Sequence, residues 1–437
     1  MKEKSSVARE RLSAFFDPAT FVELGAFIRR PGNENETEGV VCGYGAVAGR
    51  LVFAFAQDES AMKGAVDGRH AEKIAKLYDK AVSVGAPVVG MLDSAGAVVF
   101  DGAAALSGYG VLLDTVAAAS GVVPQLALVH GKCTGTMAAV ASLFDFTVVT
   151  KGAALYVGGE GSAEEAYASG NAALLCENEA EAMLRLRTLL SYLPDDYAAA
   201  ADLGSTGDDP NRAVSLSERV TAGEALAAVA DKGSAQALFE GYAPEVQTGF
   251  ATMGDLPVAY LAVDGKLTGG GIEKMTKMLR FADAFAIPLV TFLNCEGIDG
   301  AAAADLATAK ALARLARAES ECDTARVTAI VGAAVGAGFI FGGSKTLGAD
   351  VVLALPAAEI SAITATTAVA FLENDRITKE LDRKTLEREW RQQNATALAA
   401  ASVGEVDDIV DPTELRARMI AALYMLEGKN GRAPRFC

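Results

Sequence analysis

The sequence predicts an α/β protein made from one unit used twice, and three observations carry that prediction. The stretch AEKIAKLYDKAVSVGAPVVGMLDSAG, Ala71 to Gly96, aligns without a gap to IEKMTKMLRFADAFAIPLVTFLNCEG, Ile272 to Gly297, at an offset of 201. Glu72, Lys73, Lys76, Ala81, Pro87, Val89, Leu92 and Gly96 recur as Glu273, Lys274, Lys277, Ala282, Pro288, Val290, Leu293 and Gly297. The same offset carries Gly131 onto Gly332 and Gly135 onto Gly336, so a whole domain has been duplicated. Within each copy, helices and short apolar strands alternate with short connections, the pattern that gives parallel strand pairing.

The elements follow in order. Ala71, Ile74, Ala75, Tyr78, Ala81 and Val82 recur at helical spacing, with Glu72, Lys73, Lys76, Asp79 and Lys80 assigned to the other side. Pro87 is expected to end that helix, and VVGML after it reads as a strand buried on both faces. QLALVH, Gln125 to His130, is the next strand; it runs into the glycines at 131 and 135, after which TMAAVASLF reads as a helix. The second copy gives a helix from Ile272, strands LVTFL and VTAIV, glycines and a helix. Upstream of each copy lies a matching strand pair, GYGAVAGRLVFAFA from Gly43 and GFATMGDLPVAYLA from Gly249. Between the copies an acidic helical run, ENEAEAMLRLRTLLSYLP, leads to a Gly/Asp/Pro/Ser-containing linker, Ala198 to Ala213. The domains are therefore set at residues 1–205 and 206–437.

Composition narrows the function. A net charge of −17 argues against nucleic acid or an anionic membrane surface as a general partner, and an anionic cofactor would need a local basic patch. The six cysteines, Cys42, Cys133, Cys176, Cys295, Cys322 and Cys437, form no C-x-x-C pair, and only His70 and His130 could join them. No metal site is expected, and scattered thiols of this kind suit a reduced, cytoplasmic protein. The N-terminal residues have no apolar run behind them and do not read as a signal peptide. VTAIVGAAVGAGFIFGGS, between Arg326 and Lys345, approaches membrane-spanning length, but its glycines point to a buried strand running into a buried helix.

No Ser-His-Asp arrangement, paired catalytic carboxylates or metal cluster is legible. GFIFGGSKT, Gly338 to Thr346, misses a phosphate-loop pattern because Ser344 stands where lysine should follow the second glycine. GKLTGGG, Gly265 to Gly271, reads as a flexible turn. What remains is one strand–glycine–helix junction per copy. Glycine lets the backbone turn sharply and leaves amide N–H groups unobstructed, so such a junction can hold a developing oxyanion. It can equally serve only to pack a helix closely on a strand.

A family resemblance rests on ARERLSAFFDPATFVELGAF (Ala8 to Phe27), GVVCGYGAVAGRLVFAFAQD (Gly39 to Asp58) and HAEKIAKLYDKAVSVGAPVVGMLDSAGA (His70 to Ala97). GYG, SGVVPQLALVHGKCTG, RFADAFAIPLVTF, GSKTLGADVVLALPAAEI and DDIVDPTELRARM extend it over nearly the whole chain. With these motifs the sequence resembles the carboxyltransferase subunits of propionyl-CoA, methylmalonyl-CoA and related biotin-dependent acyl-CoA carboxylases and decarboxylases. The resemblance implies two tandem crotonase-like domains, an N-terminal one for the acyl-CoA and a C-terminal one for carboxybiotin. It places Gly135 and Thr136 on an oxyanion pair for the thioester enolate, and Gly336 and Ala337 on a second pair for the biotin ureido oxygen. It also implies that the biotin nitrogen takes the α-proton, which would account for the absence of a side-chain base. Thr136 and Ala337 depart from the family, each standing for the second glycine of a pair. The family's Asp-Ser-Gly-Gly-Ala-Arg loop is here Asp93-Ser94-Ala95-Gly96-Ala97-Val98, without its arginine. The Met-Gly-containing loop after Glu359-Ile360 becomes Ser361 to Ala365, and the segments after Tyr156 and Gly297 are shortened.

The resemblance further implies that the CoA thioester lies near Ser94, Ala95 and Gly96, with Arg50, Lys63, Arg69 and Lys73 as candidate cations for its phosphates. The expected partners are an acyl-CoA, a separate biotin carboxyl carrier protein, and a biotin carboxylase or membrane decarboxylase subunit. A homo-oligomer, a dimer or a trimer of dimers, is expected, with the working site between two chains. Two other functions fit the residues: a diverged non-catalytic subunit scaffolding a paralogue, and a biotin-independent crotonase-type CoA enzyme with Glu160 as its carboxylate.

Overall fold

A computed structural model describes residues 6–30, 33–201, 203–217, 219–378 and 380–429, and it divides into two units, Met1–Ala201 and Asp202–Gly431. Cys437 lies outside the described residues. The division falls inside the linker-like stretch Ala198 to Ala213.

The first unit runs α1 (Val7–Phe15), β1 (Val22–Leu24), β2 (Arg29–Arg30), β3 (Asn33–Thr37), β4 (Val40–Val47), β5 (Arg50–Gln57), α2 (Gly68–Val84) and β6 (Val88–Ser94). It continues through α3 (Ala103–Ala119), β7 (Gln125–Thr134), α4 (Thr136–Leu143), β8 (Phe146–Thr150), β9 (Ala154–Tyr156), α5 (Ala163–Ala168), β10 (Leu174–Cys176) and α6 (Glu179–Tyr192). The main sheet is ordered β1-β4-β5-β6-β7-β8-β10, with β9 on the far end of β7. β1, β4 and β5 pair antiparallel, and from β5 onward the strands are parallel. β6 is buried along its whole length, as its unbroken apolar run requires.

The second unit repeats this plan. It runs α7 (Ala222–Val229), β11 (Gln236–Leu238), β12 (Val246–Met253), β13 (Leu256–Leu267), α8 (Gly269–Ala284), β14 (Leu289–Ile298), α9 (Gly300–Ala304) and α10 (Leu306–Glu321). Then come β15 (Arg326–Val335), α11 (Ala337–Phe341), β16 (Val351–Ala354), β17 (Glu359–Ser361), α12 (Ala365–Leu372), α13 (Arg383–Asn394), α14 (Ala397–Ser402), β18 (Asp408–Ile409) and α15 (Leu415–Met425). The sheet order, β11-β12-β13-β14-β15-β16-β18 with β17 on β15, matches the first sheet strand for strand. Each unit has its own core, around Phe55, Ile74, Leu92, Leu112, Val129 and Phe144 in the first and Met253, Phe292, Val327, Leu353, Leu415 and Met419 in the second.

Four local expectations are corrected. α2 ends at Gly85, whose left-handed φ of +64° closes the helix two residues before Pro87. Val82 is exposed and Leu77 takes the buried place. Lys73, assigned to the polar side, is buried. GKLTGGG is no flexible turn: Lys266 and Leu267 end β13, the Thr268 hydroxyl caps the amide of Gly271, and the glycines form the first turn of α8. The uncharged stretch after Arg326 is β15 running into α11, and among the described residues no helix is long and apolar enough to cross a membrane.

Candidate functional site

The two junctions are built alike, starting with a bulge. Pairing of β6 with β7 steps from Leu92↔Val129 to Ser94↔Cys133, and pairing of β14 with β15 steps from Leu293↔Ile330 to Cys295↔Ala334. Each step leaves two extra residues on the second strand. In the first unit the Asp93 carboxylate fills the space over the bulge and accepts the Lys132 amide at 3.0 Å. In the second, Asn294 does the same for Ala333 at 2.9 Å. A Cβ on Gly131 would stand 2.2 Å from Asp93 Oδ1, and one on Gly332 would stand 2.2 Å from Asn294 Oδ1. The repeated glycines therefore make room for a clamp. Asp93 and Asn294 lie at the same offset of 201, yet sequence reasoning missed them. The signal was a side-chain carbonyl kept opposite a kept glycine.

Beyond the bulge, the chain turns at Gly135 (φ +62°, ψ −136°) and Gly336 (φ +54°, ψ −124°), both outside the range that suits an L side chain. The Gly135 amide is already donated to the Tyr156 carbonyl at 3.0 Å, and the Gly336 amide to the Ser361 carbonyl at 2.9 Å. This corrects the expectation that each glycine supplies a free donor. The glycines supply conformation, and the next residues, Thr136 and Ala337, are the first of α4 and α11, so their N–H groups have no acceptor within their helices.

Neutral groups surround the first junction. Burial, with Lys73 adding to it, holds the His70 pKa down at about 3. Burial pushes the Cys133 thiol and the Tyr109 phenol up to about 12. None of these three changes charge near neutral pH. Gln57 ties the surroundings together: its Oε1 accepts the Asp93 amide at 3.1 Å, and its Nε2 lies 3.3 Å from His70 Nε2 and 3.7 Å from Met137 Sδ. Asp93 itself is raised above the usual carboxylate range, chiefly by burial.

Of the candidate CoA residues, Ser94, Ala95, Gly96 and Lys63 are brought together. The Ala95 amide is donated to the Lys63 carbonyl at 3.0 Å, and the Gly96 amide to Ser94 Oγ at 3.2 Å. Lys63 is exposed on a left-handed turn (φ +56°), and Arg69 is exposed beside the Arg29 carbonyl. Arg50 is corrected: its guanidinium is committed to Asp195 at 2.6 Å and the Leu190 carbonyl at 2.8 Å. Lys73 is likewise occupied, donating to the Val40 carbonyl at 2.7 Å. Glu160 sits exposed in the loop after Tyr156.

At the second junction a cavity of about 490 Å³ opens beside Gly336 and Ala337. Phe339, Ile340, Ile360 and Val403 give it apolar walls, and Asn394 and Glu405 are its polar side chains besides Ser361.

Comparison with known proteins places this geometry. The profile of the carboxyl transferase domain matches residues 1–435. The chain is 32% identical to the propionyl-CoA carboxylase carboxyltransferase subunit of Haloferax mediterranei, over 98% of this chain and 91% of that one. It is 33% identical to the methylmalonyl-CoA decarboxylase subunit alpha of Veillonella parvula, again over 98% and 91%. Among solved structures, a transcarboxylase 12S crystal structure with methylmalonyl-coenzyme A and methylmalonic acid bound superposes with a TM-score of 0.90 at 28% identity, covering 98% of this chain and 91% of that one. Both units are crotonase-like. With a paired-junction architecture and relatives above 30% identity over nearly its full length, this chain belongs to the carboxyl transferase domain family.

Proposed function

We propose that the protein is a biotin-dependent acyl-CoA carboxyltransferase that moves a carboxyl group between an acyl-CoA and biotin held on a separate carrier protein. The observation that carries this reading is the repeated junction, a glycine at positive φ followed by a helix-starting amide, in both units of a family member. The Thr136 N–H would meet the thioester oxygen as it gains negative charge, and the Ala337 N–H would meet the ureido oxygen. Fixed donors of this kind contribute about 2.7–4 kcal/mol each because they need no reorganisation as charge develops. The cavity beside Ala337 fits a bicyclic ureido ring in its size, its apolar walls and the donor at its edge. When bound, biotin supplies the nitrogen that carries the transferable carboxyl group. Ser94, Ala95, Gly96, Lys63 and Arg69 line the side assigned to the CoA thioester. A carrier protein, a biotin carboxylase or membrane decarboxylase subunit, a homo-oligomeric assembly and a cytoplasmic location complete the proposal.

The test is incubation with free biotin and malonyl-, methylmalonyl- or glutaconyl-CoA, following loss of CO2 from the thioester by mass. Thr136→Pro is the decisive variant. Proline is tolerated at a first helical position but has no N–H. We expect a loss of about 100-fold in turnover with the melting temperature retained. Thr136→Gly keeps the amide and should change turnover or acyl preference only several-fold. A folded Thr136→Pro protein with full turnover would refute the assignment.

A further inference from the structure

The second junction is held by a relay of hydrogen bonds that starts at α7. The Asp264 carboxylate, near the end of β13, accepts the amides of the first two residues of that helix, Ala222 at 2.8 Å and Gly223 at 3.2 Å. Asp264 Oδ1 also accepts Asn294 Nδ2 at 3.0 Å. That contact fixes which way the Asn294 amide points, and its Oδ1 is left to accept the Ala333 amide at 2.9 Å. Ala333 lies in the bulge of β15, in the short run that leads to Gly336 and Ala337. The acids on neighbouring elements are committed elsewhere. Glu224 of α7 accepts the Thr221 amide at 2.9 Å, and Glu245 accepts the Thr268 amide at 3.1 Å and its hydroxyl at 2.5 Å.

Asp93 and Asn294 both accept a bulge amide, but Asn294 must also donate. The place of Asp264 is taken in the first unit by Asp58, since Phe53 pairs with Val88 as Ala259 pairs with Leu289. Asp58 Oδ1 is turned to Ser60, accepting its amide at 3.1 Å and its hydroxyl at 2.6 Å, so at Asp93 a carboxylate suffices. Beside Asp264 a second carboxylate would be repelled. We propose that Asn294 and Asp264 are positioning residues for the reaction: they fix the β15 bulge, and with it the Ala337 amide, and residue 294 must be a carboxamide to bridge a carboxylate and an N–H. The inference rests on the reading of the Ala337 N–H as the donor to the biotin ureido oxygen.

Turnover of the CoA thioester with free biotin tests this, with kcat and KM measured for each substrate and thermal melting confirming the fold. Asn294→Leu keeps the size and removes both hydrogen bonds. We expect kcat/KM for biotin to fall about tenfold while the KM for the thioester holds. Asn294→Asp adds a readout that loss of packing would not give. Protonated, the new carboxyl donates to Asp264 and accepts the Ala333 amide as Asn294 does; ionised, it is repelled by Asp264. Two carboxyls in one site retain a proton to higher pH, so its kcat/KM for biotin relative to wild type should be near full at about pH 6 and fall about tenfold by about pH 9. Should Asn294→Leu fail to fold, Asn294→Asp decides, because one folded protein is read at both pH values. A ratio that does not change with pH, or an equal loss on the thioester side in Asn294→Leu, overturns the inference. Ala337→Pro removes the N–H itself at a first helical position, where proline is tolerated. If it loses turnover while both Asn294 variants match wild type, the biotin reading stands and the relay has no positioning role. If folded Ala337→Pro keeps full turnover, the reading of Ala337 falls and this inference falls with it.

Discussion

Lys73 and Lys274, one repeat apart, are both buried and both donate to backbone carbonyls, Lys73 to Val40 and Lys274 to Phe239 and Tyr242 at 2.8 and 2.9 Å. Their role is to satisfy carbonyls that no strand partner reaches, which is why a position assigned to solvent turns out to be interior. The glycines divide in the same way, by what surrounds them. Gly131→Ala would drive a Cβ into Asp93, and we expect a loss of about 1–3 kcal/mol with release of the Lys132 amide. Gly110, inside α3, has open space where a Cβ would stand, with nothing within 4 Å, so Gly110→Ala should stabilise by about 0.5–1 kcal/mol. Chemical denaturation of the two variants decides both. Equal effects would mean that the Asp93 clamp carries no strain.

At the scale of elements, the linker region is held to the second unit by a buried charge network. Arg416 on α15 meets Asp231 at 2.6 Å, with both side chains fully buried, and it also donates to the carbonyls of Asp209 and Val229. Asp231 in turn accepts the Gly254 and Asp255 amides at 3.0 Å, so α15, the turn after β12 and the linker converge on one carboxylate. Removing one partner leaves a buried charge uncompensated. We expect Arg416→Leu to cost about 3–5 kcal/mol and to lower the melting temperature of the second unit. The single tryptophan, Trp390 on α13, lies in that unit and gives a fluorescence signal for it. A variant that melts like wild type by this signal would show that packing around α15 is sufficient without the pair.

At the scale of the whole molecule, the two units should respond to pH in opposite senses. The first contains both histidines. His70 is depressed to about 3, chiefly by burial with Lys73 adding to it, and His130 to about 4 by burial and Arg11. The unfolded chain binds protons there that the folded one does not, so stability is present above the ordinary value of 6.5 and is lost as pH falls toward 4 and 3. The second unit contains Glu319, which burial raises to about 8 against the opposing pull of Arg326. Its contribution is intact below the ordinary 4.5 and is lost as pH rises through about 8. Glu319→Gln should therefore raise the melting temperature of the second unit at pH 9 and change it little at pH 4, read through Trp390. An equal shift at both pH values would show that Glu319 does not titrate in this range.

Duplication, the order of elements along each copy and the location of both junctions were legible in the sequence because they depend on local chemistry: apolar runs of strand length, helical periodicity, and glycine where no side chain fits. The family motifs were legible for the same reason, as contiguous residues. What tertiary structure decided was which atoms remain available. Gly135 and Gly336 look like donors until the edge carbonyls of Tyr156 and Ser361, brought in by β9 and β17, accept their amides. Arg50 reads as a free cation until the segment after α6 delivers Asp195 to it. Local sequence sets which conformations a residue can take. Partners distant along the chain determine which of its hydrogen-bonding groups are left for a ligand, and only the folded packing reveals them.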